Sequence, residues 1–131
     1  MDWEQLYRET PLGEPPSGLY RGTFLEWLDA PLHARLVDSI LFDKLPYGID
    51  FDRRLWWFVE PTVAMGRFTV SAGRSRWRDT ETFRLRYEVS LLPIRGILYD
   101  EVKPLSDGSC LGLGGINSDR GAHFFFSLTR A

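Results

Sequence analysis

The chain has 131 residues, which is the usual size of one domain and too short for two independent cores. Its residues are 44% hydrophobic and 26% charged, as in globular proteins, and its 15% aromatic content is high enough to build a core from rings. The net charge is -2 and the arginines are interspersed with acidic residues, so no basic stripe is present and nucleic acid is not an expected partner.

The N-terminal segment, residues 1–17, is predicted to be an arm that precedes a single β-barrel domain at residues 18–131. Its prolines and its glycine interrupt both helix and strand. Three apolar residues can nevertheless form one short amphipathic turn that docks on the body: Trp3, Leu6 and Tyr7. The arm lacks the apolar stretch of a secretory signal, and no run in the chain is long enough to span a bilayer. A cytoplasmic protein without a membrane partner is therefore expected.

Residues 18–24 alternate enough to predict a first strand, after which the hydrophobic period changes. A helix is predicted at residues 31–41, where Pro31 suits a first turn and Asp29 can act as the cap. Its apolar positions at helical spacing are Leu32, Leu36, Val37, Ile40 and Leu41. Residues 44–54 are rich in turn formers and are predicted to be a loop that returns to the sheet.

The rest of the chain is predicted to consist of short strands. They are residues 55–59, 67–72, 82–89, 97–102, 110–114 and 123–129. Residues 82–89 alternate most cleanly. One side of this strand carries Phe83, Leu85, Tyr87 and Val89, and the other side carries Arg84, Arg86 and Glu88. This pattern is typical of a sheet with one dry face and one wet or functional face.

Six or seven short strands and one early helix predict a mainly β protein. No helical segment separates the later strands, so antiparallel connections between neighbours are favoured over a parallel sheet. A single antiparallel lipocalin-like β-barrel is the first prediction because closure removes exposed edges. The alternative is an α+β fold, an open curved sheet with the helix lying across it.

The run Gly18-Leu19-Tyr20-Arg21-Gly22 resembles the G-x-W-x-G motif of a small family of bacterial and plant proteins, with tyrosine where the family has tryptophan. The second half is similar to the domain of unknown function that follows in that family. The matching segments are Tyr99-Asp100, Ser106-Asp107-Gly108, Leu111-Gly112 and Phe124-Phe125-Phe126. Residues 45–48 depart from it, since the family more usually has Trp-x-Gly-Lys there. The resemblance covers most of residues 18–130 and implies a lipocalin-like (calycin) barrel without a particular activity.

The same region resembles lipocalins, in which a Gly-x-Trp on the first strand is covered by an arginine near the end of the last strand. Tyr20 and Arg130 stand in the matching places. A guanidinium stacked over a ring is therefore expected to close the base of the barrel.

A barrel gains a binding function by leaving part of a ring-lined interior unfilled. Trp56 and Trp57 are consecutive on a predicted strand and must point in opposite directions, so at least one faces inward. The ligand-binding candidates are Trp56, Trp57, Tyr87, Arg84, Phe124 and Phe126. Plain aromatic packing without a ligand is the alternative for the rings. Arg84 could instead anchor an acidic headgroup, pair with a carboxylate, or simply be solvated.

Three residues are candidates for proton transfer: His123, Asp100 and Tyr99. Strand alternation aims Asp100 to one face and Tyr99 with Glu101 to the other, so one carboxyl group is expected inside. Burial would favour its protonated form, which suits acid–base chemistry on an apolar substrate. His123 could be a structural group, or a base oriented by Asp100 or Glu101 on an adjacent strand.

Three functions remain open. The first is binding of a small apolar or aromatic molecule in the barrel cavity, and the second is a cofactor-free isomerase or cyclase acting on a polyketide-like or terpenoid substrate there. The third is an interaction module, such as a homodimer. No cofactor is expected. No metal is expected either, because Cys110 is the only cysteine and no Cys/His spacing suits zinc. The run Gly112-Leu113-Gly114-Gly115 lacks the helix of a phosphate loop and predicts a bend or bulge.

Overall fold

The computed structural model describes residues 2–28, 46–90, 98–116 and 123–131. One helix, α1, spans Trp3–Glu9. The strands are β1 (Leu19–Leu28), β2 (Tyr47–Asp50), β3 (Leu55–Phe58), β4 (Glu60–Arg74), β5 (Glu81–Ser90), β6 (Leu98–Pro104), β7 (Cys110–Ile116) and β8 (His123–Arg130).

The eight strands form a closed antiparallel barrel in sequence order. Each strand pairs with the next along the chain, and β1 pairs with β8 from Tyr20 opposite Arg130 to Leu28 opposite His123. The predicted mainly β, lipocalin-like barrel is confirmed. The open-sheet alternative is wrong, because the two strands that would be its edges are hydrogen-bonded to each other.

Alternation along the strands sends apolar residues into the barrel, where removing their surface from water stabilises the fold. On β5, Phe83 and Leu85 are buried inside while Arg86 and Glu88 are exposed. The core extends around the barrel through the buried residues Tyr20, Ile49, Phe51, Trp56, Phe68, Phe83, Leu85, Val102, Cys110, Phe124, Phe126 and Leu128.

The base of the barrel is the end where β1 begins and β8 ends. There the guanidinium of Arg130 lies 5.2 Å from the centre of the Tyr20 ring, as expected from the lipocalin resemblance. Phe51 packs edge-on against the same ring at 5.4 Å, and Leu12 from the arm packs against this core. Side chains of the protein itself therefore close the base.

The N-terminal arm docks on the outer face of the barrel. Asp2 caps α1 by accepting a hydrogen bond from the backbone N–H of Gln5, and Tyr7 is completely buried. Tyr7 packs with Leu111, Leu113 and Phe125, which face away from the barrel interior. The docking turn predicted in the arm is therefore present as a helix.

Two local predictions differ from the structure. β2 lies within residues 44–54, which were predicted to be a loop, and Pro46 precedes the strand. Gly48 is needed because a Cβ there would lie 2.0 Å from the backbone oxygen of Tyr20 and 2.4 Å from the Trp57 ring. The bulge that was one expectation at Gly112 and Gly114 is absent, because β7 pairs with β6 and β8 in unbroken register. The predicted helix at residues 31–41 lies outside the described residues.

Within the residues described, no helix is long and apolar enough to cross a membrane.

Candidate functional site

The barrel interior has two unequal halves. Towards the base, Leu85, Val102, Cys110 and Leu128 have no exposed surface, so this half is filled by its own side chains. In the half near the ends of β1, β3 and β5 and the starts of β6 and β8, called the upper half here, several inward-facing residues keep accessible surface. They are Phe24, Trp27, Phe58, Tyr87 and Asp100. The region around these partly exposed side chains, above the packed floor, is called the recess here.

Two clusters of aromatic rings lie on opposite walls of the upper half. On β1 and β8, Trp27 contacts Phe24 at 5.1 Å and Phe124 at 5.2 Å between ring centres. On β3 to β5, Trp56 packs against Tyr87 at 6.2 Å, and Tyr87 packs against Phe68 at 5.9 Å. Because β1 and β8 lie across a closed eight-stranded barrel from β4 and β5, the clusters form facing walls.

Asp100 is an acid on the inner face between these walls. It lies opposite Gly114 on β7, which lies opposite Phe124 on β8. A Cβ at Gly114 would be 1.9 Å from Oδ1 of Asp100, so the glycine is what leaves room for the carboxyl group. The hydroxyl of Tyr87 donates a hydrogen bond to Oδ2. The sequence thus builds a defined position for one inward carboxyl group.

The surroundings of Asp100 favour its neutral form. Loss of water contact raises the pKa of this carboxyl group from 3.8 to about 6, against the opposing effect of the hydrogen bond from Tyr87. The same burial, together with the nearby Asp100 carboxyl group, raises the pKa of Tyr87 well above its ordinary value. Asp100 can therefore gain and lose a proton near neutral pH, while Tyr87 remains a hydrogen-bond donor.

Four of the ligand-binding candidates lie in the interior: Trp56, Tyr87, Phe124 and Phe126. Trp57 does not. It is buried on the opposite face of β3, where its indole N–H donates to the backbone oxygen of Tyr20 at 3.2 Å. Arg84 is also misassigned as a ligand-binding residue, because it is on the outer face, where its Nε donates to the Tyr99 hydroxyl at 3.3 Å. Arg84 therefore cannot form an ion pair with an acidic headgroup inside the barrel.

The structure does not bring Asp100 together with the other two proton-transfer candidates. Tyr99 and His123 lie on the outer face, where the Trp77 ring stacks on His123 at 4.9 Å and meets Tyr99 edge-on at 5.2 Å. The hypothesis that Asp100 orients His123 is wrong, since the sheet separates the two side chains. Of the three candidates, Asp100 alone faces the recess.

Glu101, the neighbour of Asp100, belongs to the docking of the arm. It is completely buried under α1, and its carboxyl oxygens accept hydrogen bonds from the Tyr7 hydroxyl at 2.6 Å, the Tyr99 hydroxyl at 2.7 Å, the Ser75 hydroxyl and the backbone N–H of Arg76. This carboxyl group is therefore fully occupied by structural contacts.

Sequence reasoning missed three rings of the upper half: Phe24, Trp27 and Phe58. Phe58 shares the strand face of Trp56 and could have been found by alternation. Phe24 and Trp27 have odd spacing and share a face only because the pairing of β1 with β8 shifts register between Phe24 and Glu26. Alternation by itself does not reveal such an irregularity.

A surface groove of about 470 Å³ lies outside the barrel, between the arm and the turn after β6, where Leu6, Pro11 and Leu105 contribute to its lining. It is remote from the inner face. Among the described side chains, no group of three or more His, Cys, Asp or Glu residues is arranged to hold a metal ion.

Comparison with known proteins gives no match. No protein-family model matches the sequence, and neither the curated proteins nor the solved structures give a significant match. The geometry of the interior is therefore the basis for inferring function.

Proposed function

We propose that the protein binds a small apolar or aromatic molecule in the upper half of the barrel. The observation that carries this proposal is the division of the interior, in which the base is packed while inward-facing rings above it keep accessible surface. Binding sites of this kind combine apolar walls with a few polar groups that fix orientation. Asp100 and Tyr87 supply the polar groups, and the aromatic clusters supply the walls.

The direct test is native mass spectrometry of freshly purified protein, in which a copurified molecule adds its mass to the chain. A second measurement uses the fluorescence of N-phenyl-1-naphthylamine, a neutral aromatic probe, during titration with the protein. The proposal predicts saturable enhancement of the fluorescence, with a dissociation constant of about 10 µM or below.

A matched pair of variants locates the bound probe. Trp56→Phe shrinks a ring of the recess, whereas Trp57→Phe makes the same change on the opposite face of the same strand. The dissociation constant of the probe is expected to rise at least about threefold for Trp56→Phe and to change within about twofold for Trp57→Phe. Equal effects in the two variants, or no binding at all, would contradict the proposal.

A second candidate function is cofactor-free isomerisation or cyclisation of a polyketide-like or terpenoid substrate. The observation that favours it is a carboxyl group with a pKa of about 6 on an apolar inner wall, where a general base would be placed. Exchange of the α-protons of 2-tetralone with D₂O, followed by NMR, provides a probe of this chemistry. Protein-dependent exchange that survives Asp100→Asn would eliminate Asp100 as the base.

Two further assignments accompany the proposal. Membership of the G-x-W-x-G family is supported by the contact between Arg130 and Tyr20, which is the contact that the related lipocalin motif would make. A cytoplasmic location is supported by the single cysteine, Cys110, which is buried in the core and unavailable for a disulfide.

A further inference from the structure

The inner face of the barrel carries an unusual distribution of charge. In the upper half, the inward-facing side chains that the structure describes are apolar or aromatic except for Asp100. No lysine or histidine from the described ranges faces the interior, and Arg130 lies over the base at the far end. Among the side chains that the structure describes, a molecule in the upper half would therefore meet one acidic group and no basic one.

Asp100 has fewer hydrogen bonds than a structural carboxylate of this protein. Tyr87 is its hydrogen-bond partner among the described residues, and Oδ1 lies over the bare backbone of Gly114. Glu101 provides the internal comparison, because four donors surround its carboxyl group. Buried or partly buried carboxylates are ordinarily compensated by several hydrogen bonds or by a cation. Asp100 thus retains capacity for a further partner.

The walls around Asp100 favour one kind of partner. Trp27 and Tyr87 keep accessible ring surface there, and the rings of Phe124 and Trp56 pack against them. The faces of aromatic rings attract cations. A protonated nitrogen is drawn to the carboxylate and to the rings together, whereas a carboxylate or phosphate ligand is repelled by the acid and meets no described basic group.

We propose that the barrel selects molecules in which a protonated nitrogen is joined to an aromatic or apolar body, with the nitrogen placed at Asp100 and the body between the ring clusters. This inference rests on the proposed function, since it names the class of ligand that the recess takes. It replaces the earlier hypothesis of an acidic headgroup at Arg84, which lies outside the barrel.

Three indoles of similar size test the selection by isothermal titration at about pH 7.5: tryptamine is a cation, 3-ethylindole is neutral and indole-3-propionate is an anion. The expected order of affinity is tryptamine, then 3-ethylindole, then indole-3-propionate, with about tenfold between the first two. Asp100→Asn is expected to reduce the ratio of tryptamine to 3-ethylindole affinity to about one.

Asp79→Asn is the matched control, because it makes the same change of charge at an acid with a 76% exposed side chain on the turn before β5. It should leave the tenfold preference intact. Binding of 3-ethylindole without a preference for tryptamine would overturn the charge selection and leave the proposed function standing. Failure of all three indoles to bind would overturn both. A tryptamine preference that persists in Asp100→Asn would also overturn the assignment of the nitrogen to Asp100.

Discussion

Replacing Asp100 with asparagine is expected to stabilise the folded protein at neutral pH. The pKa of this carboxyl group is raised from 3.8 to about 6 by desolvation, so the folded state holds the proton more tightly than the unfolded chain does. Stability is consequently lost as the pH rises from about 4 to about 6 and stays lower above that range. Asparagine carries no charge, and its amide oxygen can still accept the hydrogen bond from Tyr87.

The magnitude follows from the size of the shift. A change of about two pKa units corresponds to about 3 kcal/mol, which is an upper value because Asp100 keeps some exposure to solvent. Urea unfolding followed by tryptophan fluorescence, at about pH 4.5 and about pH 7.5, gives the free energy of unfolding of both proteins. About 1 kcal/mol of this effect is already present at about pH 4.5, so the advantage of Asp100→Asn should grow by up to about 2 kcal/mol between the two pH values. Asp79→Asn is the control, and a difference that does not change with pH would refute the reasoning.

Four other changes have distinct expected outcomes. Gly114→Ala places a Cβ 1.9 Å from Oδ1 of Asp100 and should cost about 1 to 3 kcal/mol in urea unfolding, whereas Gly73→Ala, whose nearest contact is a flexible side-chain atom at 3.4 Å, should cost less than about 0.5 kcal/mol. Tyr7→Phe removes a hydroxyl bonded to Glu101 and should cost about 1 to 3 kcal/mol, with faster hydrogen exchange in α1 measured by mass spectrometry. Arg130→Met removes the cation over Tyr20 and should lower the free energy of unfolding by about 0.5 to 1 kcal/mol. The affinity for tryptamine, measured by titration calorimetry, should fall as the pH drops through about 6, because protonation of Asp100 removes the charge that attracts the ammonium group while Tyr87 stays neutral.

The architecture could be predicted because seven of the eight strands carry a readable signal. Alternation with a period of two is clearest on β5, where Phe83 and Leu85 face inward and Arg86 faces out. Closure could be anticipated from Tyr20 and Arg130, which are far apart in sequence and meet in register on β1 and β8. β2 was missed because its four residues include Gly48, and glycine within a short segment is also typical of turns. The close approach of the Tyr20 backbone oxygen and of the Trp57 ring reveals why a glycine is needed there.

The site was predictable in part. Alternation separates Asp100 from Tyr99 and Glu101, but it leaves open which face is the interior, since both faces of β6 are buried. The outer face is buried by α1, and a short helix followed by a proline-rich segment gives no sequence signal of where it will dock. The face on which His123 lies was open for the same reason, because a buried histidine beside a covered outer face resembles an interior one.

Asp100 and Glu101 are neighbours in sequence, but the contacts of Glu101 are those of a structural residue and the contacts of Asp100 are those of a functional one. Glu101 accepts hydrogen bonds from side chains of α1, β6 and the turn before β5, so its removal would leave buried donors without a partner. Burying the charge of Asp100 costs free energy, and its hydrogen bond with Tyr87 offsets little of that cost. Tyr87 can bond equally well to an uncharged amide. A residue whose replacement is expected to stabilise the fold is typical of a functional site, where stability is sacrificed for binding or chemistry. The same reasoning makes the stability of Asp100→Asn informative before any ligand is known: a variant that is less stable than the native protein at neutral pH would assign Asp100 to the framework of the barrel.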